Sequence, residues 1–77
     1  MFEYNIAPFA DNEKFNKVCI LIQDTVPGLI KAKPLTDVDG SLVQKYTQGT
    51  KKITVQNDYE VDAVYVDSEI EIPALNN

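Results

Sequence analysis

The sequence predicts an α+β fold, with one helix packed on a small, mostly antiparallel sheet of four or five short strands. The order is β-α-β-β-β, with room for an extra strand at the C-terminus. Three observations carry this prediction. Between Asp11 and Pro27 the apolar residues recur at three- and four-residue steps, the spacing of one helix face. In Phe2–Ile6 and from Lys51 onward, apolar and polar residues alternate with the period of a half-buried strand. Pro27–Gly28, Asp39–Gly40 and Gln48–Gly49 fall between these segments, where the chain has to turn.

The first strand comprises Phe2, Tyr4 and Ile6 on one side and Glu3 and Asn5 between them, and Pro8 ends it or marks an edge. Asp11 then offers a side-chain oxygen to the orphan N–H groups of a helix start, and Glu13 suits the positive end of the helix dipole. The spacing predicts a helix over 12–25, with Phe15, Val18, Cys19, Ile22 and Val26 as its buried stripe, widened by Leu21. Pro27 disfavours helical backbone at Val26 and so stops it. Pro34 excludes a regular central strand in 29–38, which leaves a short or bulged edge strand leading into a hairpin at Asp39–Gly40. The return strand is roughly Leu42–Thr47. A turn at Gln48–Gly49 would set Leu42 opposite Val55, Gln44 opposite Ile53 and Tyr46 opposite Lys51.

The C-terminal half is predicted as paired strands. A three-residue turn at Asn57–Tyr59 would place Gln56 opposite Glu60, Val55 opposite Val61 and Ile53 opposite Ala63. Ile53, Val55, Val61, Ala63 and Tyr65 then share one face, while Val64 and Val66 join Thr54, Gln56, Glu60 and Asp62 on the other. A strand with apolar groups on both faces implies either that the helix and the remaining core split the two faces or that a second chain covers one. The other reading is that the valines sit there only because β-branched residues favour strands. Glu69–Ile72 alternates again and reads as a fifth short strand or a continuation past a bulge. Residues 73–77 read as a loose tail.

At 77 residues the chain is expected to form one domain with a modest core. Its seven basic residues are all lysine, opposed by twelve acids for a formal charge of −5. All the lysines fall in residues 1–56, whereas residues 57–77 hold six acids and no base. Without arginine, and with net repulsion from a polyanion, nucleic-acid binding is not expected. From the lone Cys19 and the lack of a secretory pattern in residues 1–10 a cytoplasmic location is expected, and the apolar runs are too short to cross a membrane.

The sequence assembles no catalytic or metal-binding constellation. It contains no histidine, and Cys19 sits in the apolar stripe of the helix, away from anything that would activate it. Asp37-Val38-Asp39-Gly40-Ser41 has the opening alternation of a calcium loop, but the twelfth position, where a bidentate acid should close it, is Gln48. A hairpin turn accounts for the segment. Asp58, Glu60 and Asp62 alternate and read as a solvated face rather than a metal site. The expected function is therefore a non-enzymatic protein-binding or assembly module without cofactor or small-molecule substrate. Its contact surface would be drawn from Tyr59, Val64, Val66, Asp58, Glu60 and Asp62, and a homodimer is one form it could take. The alternative is an acidic inhibitor, a nucleic-acid mimic that presents its C-terminal carboxylates to a basic protein.

Overall fold

The computed structural model describes residues 1–76, which fold as one helix packed against a six-stranded sheet. The strands are β1 (Phe2–Ala7), β2 (Leu29–Lys31), β3 (Leu35–Thr36), β4 (Leu42–Gln48), β5 (Lys51–Asp58) and β6 (Ala63–Ser68), with helix α1 at Asn12–Thr25 between β1 and β2. Every pairing is antiparallel. The order across the sheet is β1-β6-β5-β4-β2, and β3 also pairs with β4. The first and last strands are therefore neighbours, while β1 and β2 lie at opposite edges. The connection between them has to cross the sheet. Fourteen helical residues span about 21 Å at 1.5 Å each, close to the ~19 Å across four interstrand gaps. Helix α1 thus covers one face of the sheet and leaves the other open. Among the described residues no helix is long and apolar enough to cross a membrane.

The helix forms where its spacing predicts. Asp11 Oδ1 accepts from the N–H groups of Glu13 (2.9 Å) and Lys14 (3.1 Å), and the Val26 N–H closes the last turn on the Ile22 carbonyl. Phe15, Val18, Cys19 and Ile22 are buried against Tyr46, Ile53, Val55, Val64, Val66 and Ile72. The edge formed by β2 and β3 is one strand broken at residues 32–34. Pro34 cannot donate there, and the buried Gln44 takes up the gap by donating from Nε2 to the Ala32 carbonyl (2.7 Å).

Four expectations about turns and ends are corrected. The Asp39–Gly40 hairpin has a three-residue loop: Asp37 N–H bonds the Ser41 carbonyl (2.8 Å), Gly40 N–H bonds the Asp37 carbonyl (3.0 Å), and only Gly40 has positive φ (+88°). The β4–β5 turn is Gly49–Thr50 rather than Gln48–Gly49, because only Gly49 (φ +60°) supplies the left-handed first turn position. Register therefore shifts by two, to Gln44↔Val55 and Tyr46↔Ile53, and the faces are kept. Glu69–Ile72 forms no strand; Ser68 Oγ holds a turn with the backbone of Ile70, and Ile72 is fully buried with its N–H on the Tyr4 hydroxyl (2.8 Å). Pro73–Leu75 is not loose but a 3-10 turn whose Leu75 packs on the core. Asn77 lies outside the described residues.

The largest correction lies between β5 and β6. The strands close at Asp58↔Ala63 around a four-residue loop, giving Val55↔Val66 and Asn57↔Val64. The predicted pairs Gln56–Glu60, Val55–Val61 and Ile53–Ala63 do not form. The change is an odd number of residues, so every side chain of β6 changes face. Val64 and Val66, expected on an outer surface, are 0% exposed and pack under the helix beside Ile53 and Val55.

Candidate interaction surface

The β5–β6 loop holds most of the remaining predicted contact residues, and the structure uses them internally. Asp58 is half-buried; its Oδ1 accepts from Glu60 N–H (2.9 Å) and Val61 N–H (3.3 Å), a side-chain mimic of a backbone turn. Asp62 adopts φ +55°, a conformation that aspartate tolerates better than most residues. Its Oδ1 accepts from the Ala10 N–H (2.8 Å), which ties the loop to the segment before α1. Tyr59 donates its backbone N–H to Ser41 Oγ (2.9 Å) and its hydroxyl to Asn12 Oδ1 (3.2 Å), and its ring edge lies against Gly40. It is 44% exposed and braces two turns. Glu60 is exposed. Asp58, Glu60 and Asp62 therefore form no acidic stripe along a strand, and Val64 and Val66 are not available to a partner.

A different surface takes their place. On the face turned away from α1 the paired strands set side chains in rows. One row runs Glu3, Asp67, Thr54, Lys45 across β1, β6, β5 and β4. The next runs Asn5, Tyr65, Gln56, Val43, Leu35 and reaches β3. A third carries Lys52, Thr47 and Ile30. Val43, Thr54, Gln56, Tyr65 and Asp67 are each half-buried by their neighbours alone, while Ile30 and Leu35 are exposed. Among the described residues no helix or loop lies over the centre of this face, since α1 and the 3-10 turn pack on the other.

Charge is separated laterally on this open face. Glu3 and Asp67 lie on β1 and β6 and Lys45 on β4, while the central strand β5 carries Lys52 near one end and Asp58 at the other. The Tyr65 hydroxyl is pushed up from its ordinary value by burial and by the carboxylates of Asp58 and Asp67. Among the described residues the one ion pair is Lys17 with Glu13 on the helix (3.1 Å), so Lys45 and Asp67 have no ionic partner among them.

Elsewhere the chemistry is muted. An open cleft of about 700 Å³ at the C-terminal end of α1 is bounded by Gln23, Pro27, Lys31 and Tyr46. There the Tyr46 hydroxyl accepts from Gln23 Nε2 (2.7 Å), and burial pushes its pKa up to about 12, so it stays protonated. The Cys19 thiol is likewise raised by burial, the opposite of what a nucleophile needs. Among the described residues no three acidic or cysteine side chains are grouped to hold a metal ion. In the Asp37–Ser41 hairpin, Asp37 and Asp39 accept from the N–H groups of Val38 and Ser41.

Sequence reasoning placed Thr54 and Gln56 on the outer face, but it missed Tyr65 and Asp67 as their neighbours. The usable signal was Asp67 itself. It shares period two with Tyr65 and Ala63, whereas Val64 and Val66 share it with the small Ser68, and a charge marks the solvent side. No family model matches the chain, and neither a curated protein nor a solved structure matches it.

Proposed function

We propose that the chain is a non-enzymatic protein-binding module that works through the open face of its sheet. The observation that carries this reading is a six-stranded sheet covered on one side only, whose bare side groups Val43, Tyr65, Ile30 and Leu35 among neutral polar residues. A surface mixing aromatic, aliphatic and amide groups around a central strand is suited to protein contact. The acidic-inhibitor reading has less behind it. Asp58, Asp62 and Glu69 spend carboxylate oxygens on backbone N–H groups of the chain itself, and Asp67 shares its face with Lys45. A module with one free, buried cysteine fits the cytoplasm, and that compartment belongs to the proposal.

Affinity capture from the native host tests the reading. Wild type, Gln56→Arg at the middle of the open face and Lys14→Ala on the exposed side of the helix are compared as bait. Proteins retained by wild type and Lys14→Ala should be lost from Gln56→Arg. A set unchanged by Gln56→Arg, with that variant folded, overturns the assignment of the surface.

A further inference from the structure

We infer that the occupant of the open face is a second copy of this chain, packed sheet on sheet about a two-fold axis that runs along β5. This rests on the reading of that face as a contact surface and names its partner. Strand β5 is central, with β6 and β1 on one side and β4 and the β2/β3 edge on the other. A two-fold along β5 lays β6 over the partner's β4 at the same level along the strands. Asp67 then lies over the partner's Lys45, and Lys45 over the partner's Asp67, because the two share a row with Thr54 midway between them. In the adjoining row Tyr65 lies over the partner's Val43, and Gln56 meets its own copy, an amide that both donates and accepts. The about 30° offset usual for stacked sheets moves side chains one strand from the axis by only about 2.5 Å, less than the spacing between rows.

The like charges near the axis are manageable. Lys52 and Asp58 lie toward opposite ends of β5 and each approaches its own copy, but both are on end rows. Glu69 stands beside Lys52 with its carboxylate on the Lys52 N–H (2.8 Å), and the Asp58 carboxylate accepts from the N–H groups of Glu60 and Val61. Edge-to-edge growth is the competing mode of association, and both edges are closed to it. Strand β1 has a bulge between Asn5 and Ala7, and the opposite edge is broken at residues 32–34, where Pro34 follows Lys33. On the outer side of the helix, Ile20 is an exposed apolar residue on a mostly polar surface and calls for no cover. The face is about 20 Å across, which supports a contact near the lower limit of specific interfaces and so a dimer that dissociates on dilution.

A charge exchange tests the proposal. Sedimentation equilibrium is run at about 100 µM on wild type, on Lys45→Asp, on Asp67→Lys and on an equimolar mixture of the two variants. Wild type should be dimeric, and each single variant, which sets like charges face to face, should self-associate at least about tenfold more weakly. The mixture should recover the wild-type association, because Asp at 45 then meets Lys at 67 while the native pair forms on the other side of the axis. Circular dichroism checks that both substitutions leave the fold intact. A wild-type dimer indifferent to both exchanges, or folded variants whose mixture stays monomeric, overturns the proposal. A monomeric wild type overturns it too; if Gln56→Arg still abolishes capture of a different protein, the contact reading survives, and if it does not, both fall.

Discussion

Truncating Asn57 to alanine should cost about 3 kcal/mol, out of proportion to its few atoms. The residue is 0% exposed at the end of β5 and faces the start of the helix. Its Oδ1 accepts from the Asp11 N–H (2.9 Å), and its Nδ2 donates to Asn12 Oδ1, a short contact at 2.6 Å. Asn57→Ala removes both bonds, each worth about 1 kcal/mol net, and leaves the Asp11 N–H without its partner in a half-buried position, at a further cost of about 1 kcal/mol or more. For 77 residues the whole stability is about 4–12 kcal/mol, so the loss is a large fraction of it. Urea denaturation followed by helix circular dichroism measures this directly. A double-mutant cycle with Asn12→Ala isolates the pair and should show coupling of about 1 kcal/mol. A loss below about 1 kcal/mol would mean that the helix start is not tied to the sheet through this amide, and that water replaces it readily.

Other perturbations have equally definite outcomes. Ile22→Ala empties a fully buried site under the sheet and should cost about 2–5 kcal/mol in the same urea experiment. Val64→Asp should unfold the chain at neutral pH, since an unpaired carboxylate in that core costs several kcal/mol; a folded variant by circular dichroism would return Val64 to the surface. The Tyr46 hydroxyl ionises at about 12 in the folded state against 10.0 when free, so the folded state holds this proton more tightly. Its contribution is fully present below pH 10 and is lost as pH rises through about 12. Tyr46→Phe should therefore flatten the alkaline fall in stability measured by melts between those two pH values.

The sequence was most readable where a single local rule decides. Asp11, the three- and four-residue apolar steps and Pro27 bound the helix to its observed limits, because capping and proline act within a few residues. The faces of β4 and β5 were also readable: a turn misplaced by one residue moved the register by two, and period two absorbs that error. The β5–β6 turn gave no such protection. Asn57 looked like a turn residue but is a buried strand residue that serves the helix, and the true turn is organised by Asp58 and by Asp62 at positive φ. An odd shift then exchanged Val64 and Val66 with Tyr65 and Asp67, and the expected contact surface moved into the core. The open face as a whole was out of reach, because its rows join Glu3 to Asp67 and Val43 to Leu35 across pairings that only the chain path specifies.

That chain path also turns a gradient along the sequence into one across the sheet. The crossing by α1 sends the chain from one edge to the opposite edge, and the strands that follow return step by step until β6 meets β1. The lysine-bearing segments therefore settle on β2, β4 and β5, and the acid-rich end settles beside Glu3, with Thr54 and Gln56 as a neutral centre. The two in-plane axes available to a face-to-face dimer then differ sharply. An axis across the strands lays β6 on β6 and β4 on β4, which brings Asp67 toward its own copy and Lys45 toward its own. The axis along β5 superposes unlike halves, so each Asp67 gains the lysine that its own chain holds two strands away. Like charges gathered and desolvated at a contact are more costly than matched ones. The placement of Asp67 and Lys45 on opposite sides of β5 thus favours the axis along that strand, and it does so without asking the apolar residues of the open face to choose.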